Sequence, residues 1–222
     1  MRDVLSDFWP TYRLRIRTSR LQLRLPTHRE LSRLAALAAE GVHAPSERPF
    51  LTPWTEGSGH DRARSVLRQH WGQLAGWSAT DWRLGLGVYG ADDEPLGMVT
   101  LRARDFPVVR EVTTSSWLAI AHQGQGFGTE ARVGLLTLAF DHLGAEAAVT
   151  EVFQDNYASQ GVSRKLGYEP DGISRDARGS EVVISDRLRL TRDRWTFRQQ
   201  QASAVVEGVE ECRSMFEDAS SW

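Results

Sequence analysis

The spacing of apolar positions changes period several times along the 222-residue chain, and each change marks an element. Leu14, Ile16, Leu21, Leu23 and Leu25 alternate with polar neighbours, which predicts one or two short strands. Thr27 with Glu30 three positions on is a capping-box signature. The helix it opens carries Leu31, Leu34, Leu37 and Ala38 on one face, and Gly41 closes it. Residues 43–59 are rich in Pro, Gly and Ser, yet Phe50, Leu51 and Trp54 would not stay solvated, so a long ordered loop is expected. A helix from His60 to about Leu74 follows. Trp82 to Tyr89, Leu96 to Arg104 and Glu111 to Ile120 then read as three strands.

Beyond them, Val133, Leu136, Phe140 and Leu143 share one helical face within Thr129 to Leu143. Ala147 to Phe153 is a strand, Ala158 to Leu166 a short helix, Gly167 starts a further extended run, and Glu181 to Leu190 is a strand. Paired strands, a helix, a strand, a helix and paired strands again predict an α/β (α+β) domain of three layers around a mixed sheet. That domain is expected to span residues 1–198. Residues 199–222 form a C-terminal arm whose apolar spacing (Val205, Val209, Cys212, Met215, Phe216) suits a contact with a second subunit in a homodimer, or with its own domain.

Composition narrows the classes. A net charge of -2 gives no general attraction to nucleic acid. No apolar run nears the ~20 residues that span a bilayer, so no membrane partner is expected. One cysteine, Cys212, excludes an intramolecular disulfide and a multi-thiolate zinc site. The six histidines do not cluster as ligands and Glu146 and Glu151 do not complete a site, so no metal is expected. A cytoplasmic, soluble protein is the resulting expectation.

The chemistry starts in Ser115 to Thr129, where an apolar strand enters a loop with alternate glycines (Gly124, Gly126, Gly128) that runs into a helix. Glycines let successive N–H groups converge without side-chain obstruction, and the helix adds about half a positive charge at its start. That combination holds a phosphate or diphosphate. Two other readings fail. A dinucleotide fingerprint needs its third glycine at 129, which is Thr129, and a P-loop needs a nearby lysine, whereas the chain has one, Lys165. Asn156-Tyr157-Ala158-Ser159 opens the next short helix, which ends in Lys165-Leu166-Gly167-Tyr168; by itself Asn156 reads as an ordinary helix cap.

Together the two segments resemble the GNAT superfamily of acyl-coenzyme A N-acyltransferases, in its RimJ/RimL-type branch. The Q/R-x-x-G-x-G/A motif is matched by Gln123, Gly126 and Gly128, with Gly-Thr-Glu-Ala at Gly128 to Ala131. The N-x-x-S…K-x-G-[FY] motif is matched by Asn156, Ser159, Lys165, Gly167 and Tyr168. Thr18-Ser19-Arg20-Leu21 is similar to the branch's opening, and the resemblance covers roughly residues 13 to 197. Pro49-Phe50-Leu51-Thr52-Pro53-Trp54, Asp81-Trp82, Asp105-Phe106-Pro107 and Leu190 to Trp195 resemble a narrower subgroup for which succinyl transfer has been proposed.

The resemblance implies a sheet splayed between its central parallel strands and a ternary-complex transfer of an acyl group, acetyl by default from acetyl-coenzyme A with succinyl-coenzyme A as the alternative donor, to a primary amine of a protein N-terminus, a lysine or a small molecule. It also implies that Leu118 and Ile120 pair with the pantetheine arm, and that Gln123, Gly124, Gln125, Gly126, Phe127, Gly128 and Thr129 hold the pyrophosphate. Asn156 would hold the pantetheine, Ser159 would serve the departing thiolate, and Arg164 and Lys165 would reach the 3′-phosphate. Asp105 and Glu111, flanking a strand turn, are the candidate bases, with Glu151 or a water chain as alternatives. Trp54, Trp82 and Trp117 are candidates for an acceptor pocket. Arg83, Arg102, Arg104 and Arg110 are candidates for a succinyl carboxylate. A coenzyme-binding module without transfer activity is the alternative of a different class.

Overall fold

The computed structural model describes residues 4–198 and 204–217. A short helix, α1 (Leu5–Phe8), and a 3-10 turn at Pro10–Arg13 precede β1 (Arg15–Arg17) and β2 (Gln22–Arg24), so the alternating Leu14 to Leu25 run is a pair of strands. α2 (His28–Glu40) starts at the expected capping box: Thr27 accepts from the Glu30 N–H, and Glu30 reaches back to Thr27. Residues 41–58 have no helix or strand, as expected, but Leu51 stays exposed while Phe50 and Trp54 pack inward. α3 (Gly59–Ala75) opens on a second capping box, Ser58 with Asp61, which the sequence reading passed over.

β3 (Asp81–Tyr89), β4 (Pro95–Arg104), a one-turn helix α4 (Phe106–Val109) and β5 (Glu111–Leu118) follow. α5 (Phe127–Thr137) continues into a π-helical turn at Leu138–His142. β6 (Ala147–Phe153), α6 (Tyr157–Leu166), β7 (Glu169–Arg178), β8 (Glu181–Thr191) and α7 (Arg192–Arg198) come next, then β9 (Val205–Glu207), α8 (Val209–Cys212) and α9 (Ser214–Glu217).

The nine strands form one sheet in the order β7-β8-β6-β5-β4-β3-β2-β1-β9. All described pairs are antiparallel except β5 with β6, which are parallel and matched at three positions, from Glu111↔Ala147 to Thr113↔Val149. Beyond Thr113 they part. β5 stays paired with β4 to Leu118, and β6 stays paired with β8 to Phe153. The splay expected of the fold is therefore present, and it leaves one backbone edge of residues 114–118 without β6.

Register fixes the two faces. Leu84, Leu86, Val99 and Leu101 point to the main core with Leu135, Leu136 and Phe140. Met98 and Trp117, paired across β4 and β5, point to the other side with Leu31 and Leu34 of α2 and Val66 of α3. Layers of helix, sheet and helix result, as the pattern predicted.

The described part of the C-terminal arm is woven into this domain; residues 199–203 and 218–222 lie outside the described residues. β9 extends the sheet beside β1, and Val209, Cys212, Met215 and Phe216 are buried in the main core. Phe216 meets Trp82 edge-on at 4.9 Å and Trp77 at 5.4 Å, and the Trp77 indole donates to the Met215 carbonyl at 2.9 Å. Four of the arm's five apolar positions are thus covered by their own chain, while Val205 stays exposed. Burial pushes the Cys212 thiol up to about 12, so it stays protonated.

Candidate functional site

Because β5 and β6 are neighbouring parallel strands, the loops leaving their C-terminal ends emerge side by side, where open parallel sheets bind ligands. One loop leads to α5, the other to α6, and the two helices are tied by Arg132, whose Nη1 donates to Ser163 Oγ at 3.2 Å. Arg132 is wholly buried, and that burial lowers its pKa. The two motif segments thus share one region of the molecule.

The first segment departs from the expectation at Ile120. β5 ends at Leu118, and Ile120–His122 form a 3-10 turn. The Ile120 N–H donates to Gly41 O at 3.4 Å and its side chain is exposed, so Leu118 retains extended geometry and Ile120 does not. Gln123 donates through Nε2 to Leu118 O and Val42 O, both at 2.8 Å, which pins the loop to the strand end. Gly124 and Gly126 have φ of +74° and +85°, a region costly for a residue with a Cβ by roughly 1–2 kcal/mol. Nothing stands within 4 Å of where a Gly124 Cβ would be, so the turn is bare there. Gly126 is the N-cap of α5 and supplies no side-chain cap. The first-turn N–H groups of Phe127, Gly128 and Thr129 have no acceptor within the helix, and they lie at its positive end. An uncapped helix start behind bare glycines fits a diphosphate.

Arg20 stands beside this loop, and sequence reasoning gave it no role there. Its Nη1 donates to Gln125 O at 3.1 Å, its guanidinium lies 4.5 Å from the Phe127 ring centre, and it pairs with Glu130. The Thr18 to Leu21 segment was visible as an opening motif, but nothing local tied it to a helix over 100 residues away.

In the second segment Asn156 is the N-cap of α6 and its Oδ1 accepts from the Ser159 N–H at 3.1 Å, the ordinary cap geometry. Ser159 is half-buried in the first turn. Arg164 and Lys165 are exposed in the last turn, about 12 Å along the axis from Asn156, where they complement the helix dipole.

Asp105 and Glu111 are not brought to this region. Glu111 is the first residue of β5, about 23 Å along the strand from Leu118, and Arg189 Nη1 donates to its carboxylate at 2.6 Å. Asp105 precedes α4 at the same far end and is exposed. Sequence proximity to a strand turn could not say which end of the strand the loop occupies. Glu151 is exposed opposite Arg187.

On the α2–α3 face a cleft of about 80 Å³ opens over β4 and β5. Its aromatic wall is Phe50, Trp54 and Trp117, with ring centres 5.2 and 5.8 Å apart in succession. Trp82 is absent from it, being packed between Phe106, Trp77 and Phe216. Met98, Thr100, Ser115 and Ser116 line the sheet side, and Gln69, His70 and Gln73 the α3 side. His70 Nδ1 and Gln73 Oε1 are buried without a hydrogen-bond partner, a state costing roughly 1–3 kcal/mol each. Neither was singled out from sequence; a clue was available in two polar residues three apart on a helix that must face the sheet. Burial, then the charge of His28, pushes His70 down to about 4, so it is neutral at pH 7. Arg178, at the end of β7, donates to Arg48 O at 3.3 Å and pairs with Glu56, which straps the β7–β8 hairpin to the 41–58 loop. None of Arg83, Arg102, Arg104 and Arg110 lines the cleft; Arg83 and Arg104 flank Asp81, and Arg110 donates to Leu143 O.

A family model described as the acetyltransferase (GNAT) domain matches residues 20–169, about two thirds of the chain. The chain belongs to that family, and its fold and chemistry class, acyl transfer from an acyl-coenzyme A, follow from it. Similar solved structures include Mycobacterium smegmatis RimJ in complex with CoA-disulfide, 17% identical, covering 86% of this chain and 94% of that one with a TM-score of 0.64. RimL, a ribosomal L7/L12 alpha-N-protein acetyltransferase, is 17% identical over 78% of this chain and 91% of its own, with a TM-score of 0.62. A GCN5-related N-acetyltransferase from Brucella melitensis is 16% identical over 82% and 80%, with a TM-score of 0.65. Among the described residues no group of three or more side chains could hold a metal, and no helix is long and apolar enough to cross a membrane.

Proposed function

We propose that this chain is an acetyl-coenzyme A-dependent N-acetyltransferase of the RimJ/RimL type, whose primary-amine acceptor attacks the thioester directly within a ternary complex. The observation that carries the reading is the free edge of residues 114–118, which has the uncapped start of α5 at its end and the cleft along one face. A strand edge of this kind accepts an extended amide-bearing chain by backbone hydrogen bonding. Acetyl-coenzyme A supplies the acyl group already activated as a thioester. The amides of Gly124 to Thr129 bind the diphosphate, with Gln123 pinning the loop through its own N–H to Ile120 O, Leu118 and Asn156 orient the pantetheine amides, and the Ser159 hydroxyl donates a hydrogen bond to the sulfur that departs as the carbon–nitrogen bond forms.

The amine nitrogen must arrive unprotonated. An α-amine near pKa ~8 needs only about 1 kcal/mol for this at pH 7, whereas a lysine near ~10.4 needs about 4–5. His70, near 4, is too weak a base to draw a proton from either. The absence of arginine and lysine from the cleft lining favours acetyl over succinyl.

Calorimetric titration with acetyl-, succinyl- and free coenzyme A, followed by turnover on a peptide and amine panel, tests the reading. Acetyl-coenzyme A binding with turnover is expected. Binding of every coenzyme form without turnover would indicate a binding module instead, and failure of all three to bind would end the assignment.

A further inference from the structure

We propose that His70 and Gln73 are the positioning residues that receive the acceptor nitrogen in its uncharged form. This rests on the transferase reading above and adds the groups that fix the acceptor.

The two side chains lie one turn apart on α3, are 3% and 9% exposed, and both line the cleft. Each presents a buried polar atom with no partner among the described residues, His70 Nδ1 and Gln73 Oε1. Native interiors rarely leave such atoms unpaired, and a cluster of two on one cleft points to a ligand that completes them. Gln73 Oε1 is the atom seated over Gly85 of β3, where a Cβ would overlap it, so the glycine is what lets this oxygen reach the sheet beside Thr100, which pairs with Gly85 and lines the cleft. The cleft also shares Ser115, Ser116 and Trp117 with the free edge of β5, so a group bound against α3 faces the same stretch of strand as the thioester.

The lining selects the protonation state. His70 and Gln73 can accept the N–H bonds of a free amine, but no carboxylate lines the cleft to compensate an ammonium. After burial, His28 of α2 is the group whose charge acts on His70, and the sheet residues that line the cleft with it (Met98, Thr100, Ser115 and Trp117) do not titrate. The same desolvation that keeps His70 neutral therefore opposes entry of an ammonium cation.

Histidine-labelled protein, saturated with free coenzyme A, is titrated by NMR with glycinamide, an α-amine, and with n-butylamine, a lysine-like amine. His70→Phe identifies the His70 signal. A saturable shift of that signal by glycinamide is expected, with apparent affinity rising about tenfold per pH unit below the amine's pKa. Butylamine at pH 7 should bind on the order of 100-fold more weakly. Gln73→Leu should weaken glycinamide at least about tenfold while leaving calorimetric coenzyme affinity unchanged. An unmoved His70 signal, pH-independent binding, or equal affinity for the two amines at pH 7 overturns the proposal. Loss of coenzyme binding in the unaltered protein is a separate result that overturns the transferase reading instead.

Discussion

Arg20 holds Glu130 from the other end of the chain. Its Nε and Nη2 approach the Glu130 carboxylate at 2.7 and 2.6 Å, while Thr18 Oγ1, Ser19 Oγ and the Arg20 N–H also donate to it. The β1–β2 turn is thereby fastened to the first turn of α5, next to the glycine loop. Burial pushes the Glu130 carboxyl up, but the bonds from Thr18, Arg20 and Ser19 outweigh it and the group titrates below the ordinary carboxylate value. Glu130→Ala should therefore lower unfolding free energy by about 1–3 kcal/mol in denaturant titration and weaken coenzyme binding several-fold. The stabilisation lost is that of a depressed carboxyl, present above the unfolded pKa near 4.5 and lost as pH falls below it. An unchanged midpoint in the variant would show that the fastening contributes nothing.

Gly126→Trp places a bulky side chain at φ +85°, at the N-cap of α5 and 3.4 Å from Arg20 Nη2 at its Cβ. The strain of roughly 1–2 kcal/mol is small beside a domain's stability of about 5–15. Far-UV circular dichroism should stay native while calorimetric coenzyme binding disappears. Retained affinity would remove the loop from the coenzyme site.

Ser159→Ala leaves the Asn156 cap intact, because the bond runs from the Ser159 backbone N–H. Turnover should fall by about 10-fold or more with little change in coenzyme affinity, the pattern of an interaction made as the sulfur departs. A rate equal to that of the unaltered enzyme would withdraw the assigned role.

His70 titrates near 6.5 when unfolded and near 4 when folded. The unfolded chain then binds the extra proton, so stability is complete above pH 6.5 and is lost progressively as pH falls toward 4, by about 3 kcal/mol in all. His70→Phe should flatten that part of the urea midpoint–pH curve. A curve with the same slope in both proteins would place the proton elsewhere.

Phe216 is fully buried against Trp82 and Trp77. Phe216→Ala should cost about 3–5 kcal/mol, read as a lower denaturation midpoint, since the aromatic cluster cannot close over the gap. A cost near zero would mean that the arm is not part of the core.

Much of the fold was legible because its signals are local. Capping boxes, alternation and glycine punctuation placed the paired strands at 15–24, the β6 strand and the helix after Asn156 within a residue or two. Pairing across the sheet was not legible, and it governs the site. Asp105 and Glu111 sit at the opposite end of β5 from the glycine loop, because adjacency in sequence to a turn carries no information about which end of a strand the ligand loop occupies. Ile120 looked like strand because it is apolar, yet its N–H bonds to Gly41, a contact across 79 residues. Trp82 and Trp117 are equal candidates by composition, and only register sends one to the core and the other to the cleft.

By itself the sequence determined the two motifs whose resemblance to the GNAT family implies the chemistry class: backbone donors on a glycine turn at a helix start depend on residues close together in the chain, and so does the cap at Asn156. Tertiary structure alone decided what those parts face. The parting of β5 from β6 after Thr113, the seating of Gln73 over Gly85 and the reach of Arg20 to Glu130 each depend on distant segments. Long-range packing of that kind is selected by the burial of whole faces, which no short window of residues records.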